Sequence, residues 1–267
     1  MIRQTSLGRL AGGAAILALT VVGCGGHRTN ITLAGSTAFQ PFAEKLAEHY
    51  MAAHPEVNIT VQGGGSAVGI QAALSGVAQI GMADLVHLPP EAKELTSVVV
   101  ARDGIAVVIH PTNPVANLTL AQIRDVFNGG IQNWKELGGK DAPITVVSRE
   151  AGSGTRSSFE QILGGLRLSK DAIVQDSNGS IRETVANDAN TLGYLSHGLL
   201  NDKIKALTVD GIPCTSDAIV AGHYKLVRPV YLLVKGTPTP AEQAFLDYLL
   251  AAEAQALIKS NGLLPAK

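Results

Sequence analysis

The apolar residues of this chain follow two spacings, one typical of short strands and one typical of amphipathic helices. Short apolar runs at 31–34, 57–61 and 79–82 predict strands, and the third run leads into Asp84. Apolar residues at helical spacing follow the first two runs, over 39–51 and 67–74. This alternation of strand and helix predicts βαβ units and a parallel sheet in an α/β protein.

The second half of the chain shows the same alternation less regularly. The apolar stretch 98–109 predicts two strand segments separated by the polar residues 102–104, and residues 117–119 predict the cap of a helix over 120–127. Pro240 begins a predicted final helix that ends at Gly262. Further strands are expected at 144–147, 173–174, 192–195 and 226–234.

Three prolines indicate how the chain is divided. Pro111, Pro114 and Pro229 lie at transitions between blocks of predicted elements. We interpret them as two crossovers between two lobes, with lobe I formed by residues 30–109 plus 229–267 and lobe II by residues 110–228. Each lobe is expected to hold a mostly parallel sheet flanked by helices. A ligand would bind between the lobes, at the carboxyl ends of the strands.

The N-terminal residues predict export and membrane anchoring. Arg3 and Arg9 precede an apolar core at 14–22 that is too short to span a bilayer, so residues 1–23 are typical of a signal peptide. Residues 21–24 resemble a bacterial lipobox, in which Cys24 would carry the lipid, palmitate included, and 24–29 would form a lipidated tether. A signal peptide without lipidation is the alternative. The protein would face the periplasm or the cell exterior, depending on the envelope type.

The charge of the chain argues against a nucleic-acid partner. The chain has 21 Lys and Arg residues and 22 Asp and Glu residues, a formal charge of −1. Removal of residues 1–23 takes away two arginines and makes the charge −3, whereas a nucleic-acid binder carries a basic surface. Lipidation of Cys24 would also leave Cys214 without a disulfide partner in the chain.

Residues 149–156 predict a site for a small oxyanion. The sequence Arg-Glu-Ala-Gly-Ser-Gly-Thr-Arg joins a predicted strand to a predicted helix. The N–H groups and the positive dipole end at the start of a helix attract anions. Ser153, Thr155 and Arg149 add hydroxyl and guanidinium donors. Phosphate is the expected ion, and a plain helix cap beside surface arginines is the alternative.

Two further turns have the same form. Ser36 and Thr37 follow the first predicted strand, and Ser66 follows the second, in each case just before a predicted helix. Three helix N-termini directed at one place would bind an anion without many cations. The repetition therefore favours an anion site over a plain helix cap.

Asp84 ends the third predicted strand and would face the same cleft. A carboxylate beside an anion is favourable if the anion carries a proton, as phosphate does near neutral pH and sulfate does not. Repulsion of several kcal/mol and loss of a charge-assisted bond worth ~1.5–3 kcal/mol would together discriminate against sulfate by several powers of ten. A helix cap or a partner for a surface lysine is the alternative role.

Together these segments resemble the phosphate-binding proteins of bacterial phosphate ABC transporters. The match covers nearly all of the chain after the signal peptide and rests on residues 35–41, 62–66, 80–84, 127–129, 133–134, 149–156, 176–179 and 193–196. The resemblance implies a two-lobed, type II-like periplasmic-binding-protein fold with two crossover strands as hinge. It further implies a monomer without a cofactor that closes on phosphate and delivers it to ABC transporter permease subunits.

The resemblance also implies roles for individual residues. Asp84 would accept the phosphate proton, Arg149 would bind phosphate and also pair with Asp84, and direct contact of Arg156 with the ligand is left open. The implied phosphate ligands are Thr37, Ala38 through its N–H group, Ser66, Asp84, Arg149, Ser153, Gly154 through its N–H group and Thr155, with support from Ser36.

The chain departs from the family pattern at two places. Ala67 and Val68 precede Gly69, where many relatives have a glycine-rich run. Ala83 stands where many short relatives have a serine. The second change lowers the expected number of hydroxyl donors by one and keeps the carboxylate of Asp84.

Enzyme and metal signatures are lacking in the sequence. Ser153 lies outside a Gly-x-Ser-x-Gly pattern, and there is no phosphate loop of the Gly-x-x-x-x-Gly-Lys type. The seven histidines are scattered without metal-ligand spacing. We therefore predict neither an enzyme nor a metal site. A phosphatase is the enzyme alternative, and a surface lipoprotein that senses phosphate, binds another tetrahedral oxyanion or mediates adhesion is the non-transport alternative.

Overall fold

The computed structural model describes Met1 and residues 28–266, so the predicted signal peptide and Cys24 lie outside the described residues. The strands are β1 Thr29–Gly35, β2 Val57–Gly63, β3 Ile80–Asp84, β4 Leu95–Ile109, β5 Asn117–Leu118, β6 Thr145–Arg149, β7 Ile173–Gln175, β8 Thr191–Ser196, β9 Lys205–Ala206, β10 Thr208–Val209, β11 Val227–Lys235 and β12 Leu264–Pro265. The helices are α1 Gln40–Ala53, α2 Ser66–Ser75, α3 Leu120–Phe127, α4 Gly154–Leu163, α5 Asn178–Asn187, α6 Ser216–Val220, α7 Pro240–Leu250 and α8 Ala252–Ser260. Within this described part, no helix has both the length and the apolar character needed to cross a membrane.

One mixed sheet runs through both halves of the chain. Its order is β2-β1-β3-β11-β4-β8-β6-β7, and β9 and β12 also pair with β4. β1 is parallel to β2 and β3, and β6 is parallel to β7 and β8. β4 and β11 are antiparallel to each other and to the strands beside them. Two parallel groups joined by two crossover strands confirm the predicted α/β class.

The buried apolar residues form separate clusters on the two sides of these crossover strands. One large cluster lies between β1–β3 and the helices α1, α7 and α8, with Leu33, Leu46 and Phe245 among its members. The other includes Trp134 and residues 105–109 of β4. β4 therefore passes from one core to the other along its length. The division of the chain into lobes at 109 and 228 stays a prediction.

Two predicted elements are wrong in detail. Residues 102–104 do not interrupt a strand, because the Asp103 carboxylate is paired in the interior with Arg228 at 2.9 Å and β4 continues from Leu95 to Ile109. The predicted final helix is divided at Ala251, which has extended backbone angles. The Gln255 side chain of α8 donates to the Leu249 carbonyl at 2.6 Å and so satisfies the end of α7.

The sheet places the predicted loops at one edge. β1 and β3 are in register at Gly35 and Met82, so the loop after β1 begins beside the end of β3. Gly65, at φ 89°, leads into α2 and donates its N–H group to the Gly35 carbonyl at 2.9 Å. Side chains at these strand ends are thus held close together by backbone hydrogen bonds.

Candidate anion-binding site

The loops that precede α2 and α4 meet at the carboxyl end of β3. The Ser66 hydroxyl donates to Oδ1 of Asp84 at 2.8 Å, and the Thr155 hydroxyl donates to Oδ2 at 3.2 Å. The Ala67 N–H group donates to the Gly152 carbonyl at 3.1 Å. These contacts join the two halves of the chain, so the cleft between them is closed in this structure.

Asp84 lies at the centre of this contact. Its residue surface is only 2% exposed. Besides the two hydroxyl bonds, its Oδ2 atom lies 2.7 Å from Nη2 of Arg228, and its N–H group donates to Ser66 Oγ at 3.1 Å. The carboxylate therefore has a buried cation and two hydroxyl donors around it.

The predicted pairing of Arg149 with Asp84 is wrong. Nε and Nη2 of Arg149 donate to the two carboxylate oxygens of Glu150 at 2.9 and 2.8 Å, and Nη2 also donates to the Asp176 carbonyl at 3.2 Å. Glu150 is the next residue after β6 and reaches the guanidinium in a bidentate geometry, whereas Asp84 is paired with Arg228. The remaining nitrogen of Arg149, Nη1, is buried without a partner among the described residues. It is a donor that a ligand can use.

The N-terminus of α4 supplies further donors. The Ser153 side chain caps the helix by accepting the Arg156 N–H group at 3.2 Å. The N–H groups of Gly154 and Thr155 belong to the first turn, which has no acceptor within the helix. Ser153 thus supports the helix end in this structure, and the backbone beside it offers two N–H groups.

The two halves of the chain approach closely at Gly154. A Cβ atom at this position would lie 2.1 Å from Ser66 Oγ and 2.5 Å from the Asp84 carbonyl oxygen. Neither distance is compatible with a side chain, so closure as seen here requires glycine.

The first predicted loop lies against α5. Ser36 Oγ accepts the N–H groups of Ala38 and Phe39 at 3.2 and 3.1 Å, so the Ala38 N–H group is engaged within its own turn. Thr37 Oγ1 accepts from Nδ2 of Asn178 at 3.1 Å. This bond is a further contact across the cleft, and it joins the first loop to α5 rather than to α4.

Arg156, whose role the sequence leaves open, supports the loop. Its Nε donates to Glu160 at 2.7 Å, one turn along α4, and its Nη1 donates to the Arg149 carbonyl at 3.0 Å. The side chain is therefore bound to α4 and to the end of β6.

The described residues contain little that suits other chemistry. No group of three or more His, Cys, Asp and Glu side chains in this part of the chain could hold a metal ion. Burial raises the pKa of the Cys214 thiol to about 12, so this cysteine is a neutral thiol rather than a nucleophilic thiolate.

Known proteins are similar to this chain in sequence and in architecture. A family model described as a PBP superfamily domain matches residues 22–253. The phosphate-binding protein PstS of Bacillus subtilis is 33% identical, over 88% of this chain and 80% of that protein. The chain belongs to the PstS family.

Solved structures of similar proteins agree with this assignment. A phosphate ABC transporter substrate-binding protein from Clostridium perfringens, with bound phosphate, is 38% identical, with a TM-score of 0.87 over 90% of this chain and 100% of that chain. An ABC-type phosphate transport receptor from Vibrio cholerae is 36% identical, with a TM-score of 0.74 over 88% of this chain and 99% of that chain. Substrate-binding proteins of phosphate transport therefore share the fold of this PstS-family chain.

Sequence reasoning assigned no role to several polar residues around the site of this PstS-family chain. They are the partly exposed Glu150 and the buried residues Asp103, Ser158, Asn178, Ser196 and Arg228. A signal existed for Arg228, because an arginine inside a predicted apolar strand requires a buried partner. A signal existed for Asp103 as well, although it was interpreted as a strand break. No local signal pointed to Ser158, whose hydroxyl donates to the Asp84 carbonyl at 3.3 Å.

Asp103 and Arg228 form a buried ionic group beside the site. Arg228 Nη2 donates to Oδ2 of Asp103 at 2.9 Å, and the Ser196 hydroxyl donates to Oδ1 at 2.9 Å. Burial raises the pKa of the Asp103 carboxyl to about 6, and the opposing effects of Arg228 and Ser196 only partly offset it. The carboxylate form of Asp103 is thus maintained at neutral pH at a cost to stability.

Proposed function

We propose that this PstS-family chain binds one phosphate ion between its lobes and delivers it to the permease subunits of a phosphate ABC transporter. The observation that carries the proposal is the buried set of donors at the cleft. The set comprises the hydroxyls of Ser66 and Thr155, the first-turn N–H groups of α4 and the Nη1 atom of Arg149, which has no partner in the described part of the chain. Several neutral donors and one guanidinium suit a small oxyanion. The bound phosphate in the C. perfringens relative supports the choice of ion.

The proposed ligands are the residues that the sequence indicates. Ser66 and Thr155 each have one hydroxyl proton, which can rotate from Asp84 to a phosphate oxygen. The Ala38 N–H group would have to exchange Ser36 Oγ for phosphate in the same way. The full proposed set is Ser36, Thr37, Ala38, Ser66, Asp84, Arg149, Ser153, Gly154 and Thr155.

Asp84 is proposed to select for a protonated anion. A carboxylate can accept about four hydrogen bonds. In the closed structure the Asp84 carboxylate accepts two, from the hydroxyls of Ser66 and Thr155, and forms an ion pair with Arg228. The carboxylate can therefore accept a further proton from phosphate, while fully ionised sulfate offers none. Phosphate is expected to bind far more tightly than sulfate for this reason.

Transport is proposed to use opening and closure without covalent chemistry. Contacts of one ion with both lobes favour the closed form over the open form, because they exist only when the lobes meet. Docking on the permease would open the lobes and release the ion. The proposal includes no enzyme activity, cofactor or metal.

We further propose that the protein is an exported monomer anchored through a lipid on Cys24. The lipobox-like sequence at 21–24 and the short glycine-containing tether support this part of the proposal. The anchor would hold the protein on the periplasmic or outer side of a membrane, where it meets its permease. Mass spectrometry of the membrane-extracted protein would test the lipid on Cys24 directly.

Calorimetric titration of the chain, stripped of bound anion, with phosphate and then sulfate at neutral pH tests the central proposal. Tight one-to-one binding of phosphate without heat from sulfate is the expected result. Binding of sulfate with similar affinity, or of neither ion, would contradict it and favour another oxyanion or a non-transport role. Release of phosphate from a phosphate monoester during incubation would contradict the absence of enzyme activity.

A further inference from the structure

Arg228 is a buried arginine to which the proposed ligand set assigns no role. It lies on crossover strand β11, directly opposite Asp103 of crossover strand β4. Its side chain is 0% exposed, and its Nη2 atom lies 2.7 Å from Oδ2 of Asp84 and 2.9 Å from Oδ2 of Asp103. A single guanidinium nitrogen therefore joins the carboxylate of the anion site to the strands that connect the lobes.

Stability alone does not explain this arrangement. Nε and Nη1 of Arg228 are buried and have no hydrogen-bond partner among the described residues. A buried cation with unsatisfied donors and two carboxylates is unfavourable compared with apolar side chains of similar volume. Such a group is better explained by what it does to Asp84 than by its contribution to folding.

The donors around Asp84 differ in whether they can remain there when an anion binds. The hydroxyls of Ser66 and Thr155 have one proton each, so a hydroxyl that turns to phosphate no longer donates to Asp84. Arg228 has no such conflict, because its Nη2 atom is fixed between Asp84 and Asp103. The ion pair with Arg228 is thus the side-chain contact that Asp84 keeps after the hydroxyls have turned to the ion.

We propose that Arg228 is a positioning residue that holds the Asp84 carboxylate in place as the acceptor of the phosphate proton, and that it thereby sets the preference for phosphate over sulfate. This inference rests on the proposed phosphate-binding function. Without Arg228, the Asp84 carboxylate would lose the contact that holds it in this orientation once the hydroxyls have turned to the ion. A carboxylate that is free to turn away accepts the phosphate proton less well and repels sulfate less strongly.

The test compares dissociation constants for phosphate and sulfate in variants of the full chain, purified in detergent and stripped of anion. Arg228→Met is expected to reduce the ratio of sulfate to phosphate dissociation constants by about ten- to a hundredfold, the range for one charge-assisted hydrogen bond. Arg228→Lys, which retains the positive charge, is expected to restore most of the ratio. Arg102→Met is the matched control, because Arg102 is the neighbouring arginine on β4 and its side chain points to the opposite face of the sheet from Asp103.

A double variant controls for the possibility that Arg228→Met fails to fold. Arg228→Met leaves Asp103 buried without its cation, whereas the double variant Asp103→Asn/Arg228→Met removes both charges. The double variant is expected to fold and to lose the preference for phosphate to the same extent. A lower melting temperature with a parental ratio in the double variant would overturn the inference and leave a structural role for Arg228.

Binding of phosphate and sulfate by the parent protein distinguishes a failure of this inference from a failure of the proposed function. A parent that fails to bind phosphate would overturn the proposed function and the role of Arg228 together. A parent that prefers phosphate, with both Arg228 variants showing the same preference, would overturn the role of Arg228 alone.

Discussion

Two buried arginines lie beside the same cleft but have different partners. Arg149 ends strand β6 and is paired with Glu150, whose side chain is 30% exposed, and one of its nitrogens faces no partner among the described residues. Arg228 lies inside strand β11 between Asp84 and Asp103, which are 2% and 1% exposed. Arg149 has a donor that the proposed ligand can use, whereas Arg228 is occupied with Asp84, the proposed acceptor of the phosphate proton.

The difference shows how one site can hold both an anion and a carboxylate. In the proposed site, a cation that binds the anion directly increases affinity, while a cation behind the carboxylate holds that carboxylate in place beside the anion. Two separate arginines allow affinity and selectivity to be changed independently. The following predictions test that separation.

The largest loss of phosphate affinity is expected from Arg149→Met. Removal of a guanidinium that donates to a dianion is expected to weaken phosphate binding by about a hundredfold or more, with the preference over sulfate retained. Calorimetry with both ions measures affinity and preference together. Arg156→Met serves as the control, because that side chain is bound to Glu160 and to the Arg149 carbonyl. Equal losses in the two variants would place the ligand elsewhere.

Asp84→Asn is expected to change the preference more than the affinity. The amide retains the shape of the carboxylate, loses its charge and can donate to sulfate. Phosphate binding should weaken by about tenfold or more through loss of a charge-assisted bond, and sulfate binding should strengthen. Competition between the two ions on one sample gives the ratio. A variant that still rejects sulfate as the parent does would show that Asp84 does not recognise the proton.

Gly154→Ala tests the contact between the two regions. The added Cβ would meet Ser66 Oγ and the Asp84 carbonyl, so closure requires displacement of the backbone, and phosphate affinity should fall by about tenfold. Gly152→Ala is a matched control in the same loop, since its Cβ would be 3.5 Å from the Ala67 Cβ atom. Similar affinity in both variants would show that tight closure at Gly154 is not needed for binding.

Asp103→Asn is expected to have the smallest effect on binding and a measurable effect on the pH dependence of stability. The pKa of this carboxyl is raised from 3.8 to about 6 by folding. The folded state therefore binds more protons than the unfolded state between these values, and Asp103 lowers stability as pH rises through this window. The free energy of unfolding of the parent, relative to the variant, should fall by about 2 kcal/mol between pH 4 and pH 6. Denaturant titration across this range measures the difference, and a constant difference would contradict the raised pKa.

Local elements of the fold could be predicted from the sequence because their signals lie within a few residues. Thr119 and Gln122 form the capping box of α3, and the helix begins at Leu120, as predicted from the sequence. The strand, turn and helix at 145–163 likewise follow from the apolar pattern and the glycine-containing turn. Gly154 was expected at the site for its N–H group, but its close approach to Ser66 was not.

The partners of the buried charges could not be predicted in the same way. The pairing of Arg149 with Asp84 was implied by the family resemblance, and no local pattern in the sequence tests it. Arg228 and Asp103 lie 125 residues apart and become neighbours only through the register of β4 and β11. Glu150 competes for Arg149 simply because it is the next residue, an effect that family resemblance did not indicate.

The amino-acid sequence by itself determined the α/β class, the three loops with hydroxyl groups, Asp84 at a strand end and Arg149 at another, because each depends on residue type and local spacing. The tertiary structure decided which cation accompanies which carboxylate, how Asn178 and Thr37 join the first loop to α5, and why residue 154 has no space for a side chain. The physical reason is that hydrogen bonds and ion pairs depend on distances of about 3 Å. The order and register of strands far apart in the chain set those distances.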